Sequence, residues 1–189
     1  MKLLEERILK EGRLLQGNVL QVDGFLNHQI DVSLLDALGA EWKRLYNGEN
    51  ITKVLTIEAS GIAVACMAAK HFGVPVVFGK KTASSNIGRV FYKSSVVSYT
   101  NGNTYDVIVS KKYLSSEDRV LIIDDFLANG SALRALINIA ESAGATIVGA
   151  GVAIEKAFQR GGAQIRELGY RLEALARVNV DKDGKISFC

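Results

Sequence analysis

Val120-Leu121-Ile122-Ile123 is a continuous apolar run bounded by charged residues, and Thr146 to Ile154 is a second run of the same kind. A strand with one wet face alternates apolar and polar side chains. An unbroken run instead marks a strand covered on both faces, as in a parallel sheet sandwiched between helices. Between the two runs, Leu133, Leu136, Ile137 and Ala140 recur at helical spacing up to Gly144. The pattern repeats upstream. Lys53 to Ile57 reads as a strand, Ile62 to Phe72 as an alanine-rich helix, and Pro75 to Phe78 as a further strand after Gly73. Strand-helix-strand units of this length call for parallel pairing. The expected class is α/β, with a central, mainly parallel sheet flanked by helices.

The rest of the chain decorates that frame. Leu3 to Glu11 reads as a short helix stopped by Gly12, Val19 to Val22 as an edge strand broken by Asp23-Gly24, and Phe25 to Gln29 as irregular. Asp31 or Ser33 can cap a helix carrying Leu35, Leu38, Trp42 and Leu45 on one face. Arg89 to Tyr99 and Thr104 to Ser110 read as strands joined by the Asn101-Gly102 hairpin signal. Gly79 to Asn86, with no apolar anchor except Ala83, reads as a mobile loop. Gln164 to Leu168 reads as a short helix, and Tyr170 to Val178 and Lys185 to Phe188 as closing strands. With 189 residues, no repeat and no linker-like stretch, one domain is expected.

Charge narrows the function classes. The net charge of +3 is spread along the chain, whereas binding a phosphate backbone needs a concentrated basic stripe, so nucleic acid is disfavoured as a partner. The two cysteines, Cys66 and Cys189, form no Cys-x-x-Cys pattern and suit a reducing compartment. Acidic residues stand where a signal peptide needs its apolar centre, and no apolar run approaches 18 residues. A cytoplasmic protein without a membrane partner is expected.

The chemistry gathers behind the most apolar run. Asp124 and Asp125 follow Ile123 directly, where the strand is expected to end, and the chain then reads Phe126-Leu127-Ala128-Asn129-Gly130-Ser131. In open α/β sheets, ligands bind beyond the carboxyl ends of the strands. Ionised carboxylates only accept hydrogen bonds, which suits two neighbouring sugar hydroxyls. Gly130 permits close backbone approach, Ser131 offers a hydroxyl, and the helix starting there directs free N–H groups at an anion. Taken by itself, the same stretch could be a strand end followed by an ordinary turn. Two carboxylates and an anion cradle within eight residues favour a sugar phosphate. An acidic pair also marks phosphoacceptor receiver domains, but there the pair follows the first strand, and here it lies two thirds along the chain. No Ser-His-Asp set competes, since His28 and His71 stand apart.

Val120 to Ser131 resembles the phosphoribosyl pyrophosphate (PRPP) motif of type I phosphoribosyltransferases, and within them the purine-salvage members. Further likeness runs over Leu20 to Asp31, Ile57 to Ala63 and Ile154 to Gln159. The resemblance implies a type I phosphoribosyltransferase fold with a core over about 35–155 and a small hood built from about 1–30 and 156–189. It gives Asp124 and Asp125 the ribose hydroxyls, and Ala128, Asn129, Gly130, Ser131 and Ala132 the 5′-phosphate. Ala59 and Ser60 would hold pyrophosphate through their backbone, although Ala-Ser-Gly alone is a common connector. Lys80 or Lys81, with Lys81 preferred, would meet pyrophosphate from a closing loop; that loop is less basic than in close relatives. The family often has Thr at the position of Asn129, so one hydroxyl of the cradle is missing.

Leu20, Asn27 and Lys156 are implied as the purine contacts. An ammonium at Lys156 can donate to the 6-oxo group of a purine but not usefully to the 6-amino group of adenine, and Asn27 offers a donor and an acceptor to the 2-position. Read alone, Lys156 could equally snorkel from a strand exit and Asn27 could sit in a turn. Phe158 could stack on the base or fill the core. The implied reaction carries 5-phosphoribosyl from PRPP to a 6-oxopurine, xanthine first, with guanine or hypoxanthine as the alternative and a non-catalytic PRPP-sensing regulator as another. Mg²⁺ would be chelated by PRPP and pyrophosphate rather than held directly by the protein, and a homodimer is implied.

Overall fold

A computed structural model of the chain describes residues 1–81, 90–97 and 104–189. Helix α1 (Lys2–Glu11) buries Leu4 and Ile8, one turn apart on one face, and ends where the Gly12 N–H donates to the Ile8 carbonyl. Two three-residue strands follow, β1 (Arg13–Leu15) and β2 (Val19–Gln21), paired antiparallel. The sequence reading anticipated β2 alone. The hairpin reverses through Gly17 at φ 80° and Asn18 at φ 58°, a left-handed pair that glycine and asparagine tolerate. Asp23–Asn27 forms a π-helical turn that buries Phe25 and Leu26. Helix α2 (Val32–Leu45) is capped by the Asp31 carboxylate, which accepts from the Leu34 N–H at 3.0 Å.

Strand β3 (Lys53–Ile57), helix α3 (Ser60–Phe72) and strand β4 (Val76–Gly79) form the first parallel crossover, with Val54 opposite Val76. Helix α3 closes on Gly73 at φ 71°, a left-handed cap. Strands β5 (Phe91–Val97) and β6 (Thr104–Ser110) pair antiparallel as a separate two-stranded sheet. The Asn101-Gly102 turn between them lies outside the described residues, as does most of the loop expected over Gly79 to Asn86.

Strand β7 (Arg119–Leu127), helix α4 (Ser131–Ser142), strand β8 (Thr146–Lys156), helix α5 (Gly161–Glu167) and strands β9 (Leu172–Val180) and β10 (Ile186–Phe188) complete the chain. The main sheet runs β10-β9-β8-β7-β3-β4, with β10 alone antiparallel to its neighbour. Strands β9 and β10 share its hydrogen bonds, so the C-terminal segment adds two strands at one edge of the central sheet.

Strand β7 shows why its sequence is apolar throughout. Leu121 and Ile123 enter a cluster with α2, α3 and the N-terminal segment, while Val120 and Ile122 enter a second cluster with α4, α5 and the β5–β6 hairpin. Successive side chains alternate faces, and both faces are covered. One boundary needs correction. The strand does not end at Ile123, because Asp124 pairs with Val152, Phe126 with Ile154 and Leu127 with Glu155 of β8. The two aspartates therefore sit inside a strand, held by backbone pairing that their charge alone does not reveal.

Candidate active site

Asp124 and Asp125 are 5% and 6% exposed near the carboxyl end of the most central strand. As neighbours on a strand they face opposite ways. Asp125 meets the N-terminal segment, where Asn27 Nδ2 donates to its Oδ2 at 3.2 Å. Asp124 lies towards the other layer, where the charge of Lys81 acts on it and its own charge acts on Tyr105. Its Oδ1 accepts from the Asp125 N–H at 3.0 Å. Burial, and then the charge of Asp125 beside it, push the Asp124 carboxyl well above the ordinary carboxylate range, with Lys81 pulling the other way.

The loop between β3 and α3 approaches this pair closely. A Cβ on Gly61 would overlap Thr56 Oγ1 and lie 2.7 Å from Asp124 Oδ1, so only glycine lets the start of α3 sit there. Thr56 Oγ1 is fully buried with no hydrogen-bond partner among the described residues. Ala59 is exposed and Ser60 half-buried in the same loop, and the Glu58–Ala59 peptide is cis. The Lys81 N–H donates to Glu58 Oε1 at 2.6 Å, which ties the segment after β4 to this loop. Lys81 Nζ stands 5.5 Å from the Tyr105 ring centre, whereas Lys80 Nζ stands 6.0 Å from that of Phe78. Of the two lysines the sequence left open, Lys81 is the one whose charge bears on Asp124.

Beyond β7 the chain turns through Ala128, Asn129 and Gly130, the last at φ 83°, before Ser131 opens α4. The Ser131 N–H donates to Asn129 Oδ1 at 3.0 Å, so the residue that replaces the family's threonine caps the turn with its own side chain. Helix α5 presses on this turn from outside. The Gly161 N–H donates to the Ala128 carbonyl at 3.2 Å, and a Cβ on Gly161 would lie 2.6 Å from Gly130 N.

Lys156 ends β8, half-buried, with Nζ 5.8 Å from the ring centre of Phe126. Burial holds its ammonium below the usual lysine range. Leu20 is buried in the core cluster against which Phe126 also packs. Phe126 therefore supplies an aromatic face beside Lys156, which the sequence reading did not single out. Thr56, Tyr105 and Gly161 also escaped the sequence reading, since each meets the site only across the fold. A cavity of about 810 Å³ lies along the β4 edge among residues such as Lys53, Phe78, Lys80 and Tyr113, and is lined by neither aspartate nor by Lys81.

Residues 26–174 match the model of the phosphoribosyl transferase domain. The chain belongs to this family. Its relatives include a xanthine phosphoribosyltransferase of Lachnoclostridium phytofermentans, 55% identical over 100% of this chain and 98% of that protein. Another, from Bifidobacterium longum subsp. infantis, is 54% identical over 100% of this chain and 99% of that protein. Among solved structures, an adenine phosphoribosyltransferase of Giardia lamblia superposes with a TM-score of 0.78 at 23% identity, covering 92% of this chain and 97% of its own. One from Rhodothermus marinus gives 0.76 at 21%, covering 94% and 99%. The type I phosphoribosyltransferase fold expected from the motif around Asp124 and Asp125 is the fold observed, with the sheet mainly parallel and helices on both faces.

Proposed function

We propose that this chain transfers 5-phosphoribosyl from PRPP to xanthine, giving XMP and pyrophosphate in purine salvage. The observation that carries the reading is the join between Asn27 and Asp125: a residue expected at the base and one expected at the sugar are in direct contact. Identity above 50% to xanthine phosphoribosyltransferases over the whole chain supports the choice of base.

As the bond between the anomeric carbon and pyrophosphate breaks, its electron pair leaves with pyrophosphate and positive charge builds on the ribose ring. A purine nitrogen then takes the carbon and loses its proton to solvent. Asp124 and Asp125 accept hydrogen bonds from the ribose hydroxyls and stabilise that charge without attacking it. The backbone of Ala128 to Ala132, together with the Ser131 hydroxyl, binds the 5′-phosphate at the start of α4. Ala59 and Ser60 offer backbone N–H groups to pyrophosphate, and Lys81 adds a cation. Leu20 and Phe126 bound the base, Asn27 reads its 2-position and Lys156 donates to its 6-oxo group.

Among the described residues no three His, Cys, Asp or Glu side chains converge as a metal cage, while the donors near the sugar are hard carboxylate oxygens that suit Mg²⁺ through its substrate. Bound with PRPP, Mg²⁺ neutralises charge on the leaving pyrophosphate. The division into a core over about 35–155 and a hood over about 1–30 and 156–189 is part of the same reading. So are the small-molecule partners, the cytoplasmic setting and a homodimer; among the described residues no helix is long and apolar enough to cross a membrane.

The test is to incubate the protein with PRPP and Mg²⁺ and compare pyrophosphate release with xanthine, guanine, hypoxanthine, adenine and orotate. Fastest release with xanthine is expected. Release with none of these bases overturns the reading, and a preference for guanine or hypoxanthine replaces the base while keeping the reaction.

A further inference from the structure

We propose that Arg166 is a positioning residue for the 5′-phosphate of PRPP, acting through Glu155 and Gly161 on the loop Ala128–Ala132. The proposal rests on the reading above, in which that loop holds the phosphate.

Glu155, the penultimate residue of β8, is 2% exposed. A carboxylate so deeply buried needs full compensation. It receives the fork of Arg166, with Nη1 to Oε1 at 2.8 Å and Nη2 to Oε2 at 2.7 Å, and Arg177 Nε adds a contact to Oε2 at 3.3 Å. Burial pushes the Glu155 carboxyl up, but the two guanidiniums outweigh it and hold it below the usual range. Arg166 stands on α5 and Glu155 on β8, so the fork fixes the helix to the sheet.

The first turn of α5 is caught between that ion pair and the phosphate loop. A Cβ on Gly162 would overlap Glu155 Oε1 and lie 2.8 Å from Arg166 Nη1. A Cβ on Gly161 would overlap the Ala128 carbonyl oxygen and lie 2.7 Å from Asn129 C and 2.6 Å from Gly130 N. Two adjacent glycines thus face two different neighbours, and neither has room for a side chain. The Gly161 N–H also occupies the Ala128 carbonyl, which sets the direction of the turn leading to Gly130 and Ser131. A seven-residue helix forms few bonds of its own, so its placement depends on the Arg166 fork. Loosening the fork lets α5 shift and takes the backing from the loop. Of the base contacts, Asn27 lies on the N-terminal segment, and Lys156, although next to Glu155, is held by pairing with Val178 of β9 rather than by α5.

The experiment compares Arg166→Met, Arg166→Lys, Gly161→Ala and Ser131→Ala with the unaltered protein. It reads KM for PRPP, KM for xanthine, kcat, calorimetric binding of ribose 5-phosphate and the melting temperature. A displaced anchor of this kind is expected to raise KM for PRPP and weaken ribose 5-phosphate binding by about tenfold to a hundredfold in Arg166→Met. KM for xanthine stays within about twofold, and Arg166→Lys, which keeps the charge without the fork, falls between. Should Arg166→Met fail to fold, Gly161→Ala carries the test, because it leaves the ion pair intact and presses on the loop directly. Equal changes in both KM values, or none, overturn the proposal. Ser131→Ala separates the two ideas. If it weakens ribose 5-phosphate binding while Arg166→Met and Gly161→Ala do not, the loop binds phosphate and the relay is wrong. If it leaves that binding unchanged, the assignment of the loop itself fails.

Discussion

The side-chain amide of Asn27 donates to the carboxylate of Asp125 at 3.2 Å, across 98 residues of chain. A π-helical turn near the N-terminus and the central strand β7 are thereby joined at the point where the base and the ribose are proposed to meet. The contact also helps to orient the buried Asp125 carboxylate.

Asp125→Ala is expected to lower kcat by about a hundredfold or more, since it removes a group aimed at charge that develops only as the bond breaks. Asn27→Ala should act mainly on KM for the base, with a smaller loss in kcat from the freed Asp125. Steady-state kinetics with both substrates varied checks this, and equal effects of the two variants on both parameters would contradict the assigned roles.

Asp124→Asn should reduce turnover while making the fold more stable. The folded state raises the Asp124 pKa, so it binds that proton more tightly than the unfolded chain does, and stability falls as pH rises from 3.8 through the raised value. Asparagine keeps an oxygen for the Asp125 N–H and has no proton to lose. Its advantage in urea denaturation is expected to grow across that window and level off above it. A variant less stable than the parent at pH 7 would refute the argument.

Lys156→Ala should erode discrimination among bases. A site that must hydrogen-bond its substrate can reject a mismatched analogue by roughly 10⁴ to 10⁵, so much of the preference for 6-oxopurines over adenine is expected to vanish. Because burial lowers the Lys156 pKa, the ammonium is lost at a lower pH than an ordinary lysine. Base preference in the parent should therefore decline on the alkaline side, and Lys156→Gln should lack that limb. Competition assays over a pH series read both effects.

Gly151→Ala tests the core rather than the site. A Cβ there would lie 2.6 Å from Trp42 Nε1 and 2.7 Å from Ile123 Cδ1, inside a cluster with no space to yield. Overpacking of this kind costs about 1–3 kcal/mol. Denaturant titration should show the loss in midpoint with an unchanged slope, and a neutral result would mean that Trp42 can move aside.

The sequence by itself determined the parallel sheet and its principal helices, because strands buried on both faces must be apolar at every position and helices must repeat every three to four. It also located the acidic pair and the loop after it, since both lie within one short stretch of chain. The sequence misjudged the end of β7: Asp124 and Asp125 read as a boundary, yet backbone pairing with β8 carries the strand to Leu127. Only the tertiary structure decided that Asn27 reaches Asp125, that Phe126 stands beside Lys156, and that Gly161 backs the turn at Gly130. Periodicity reports which face of an element is buried, not which distant residue covers it. Contacts between residues far apart in the chain exist only once the sheet has set its order and the layers have closed over it.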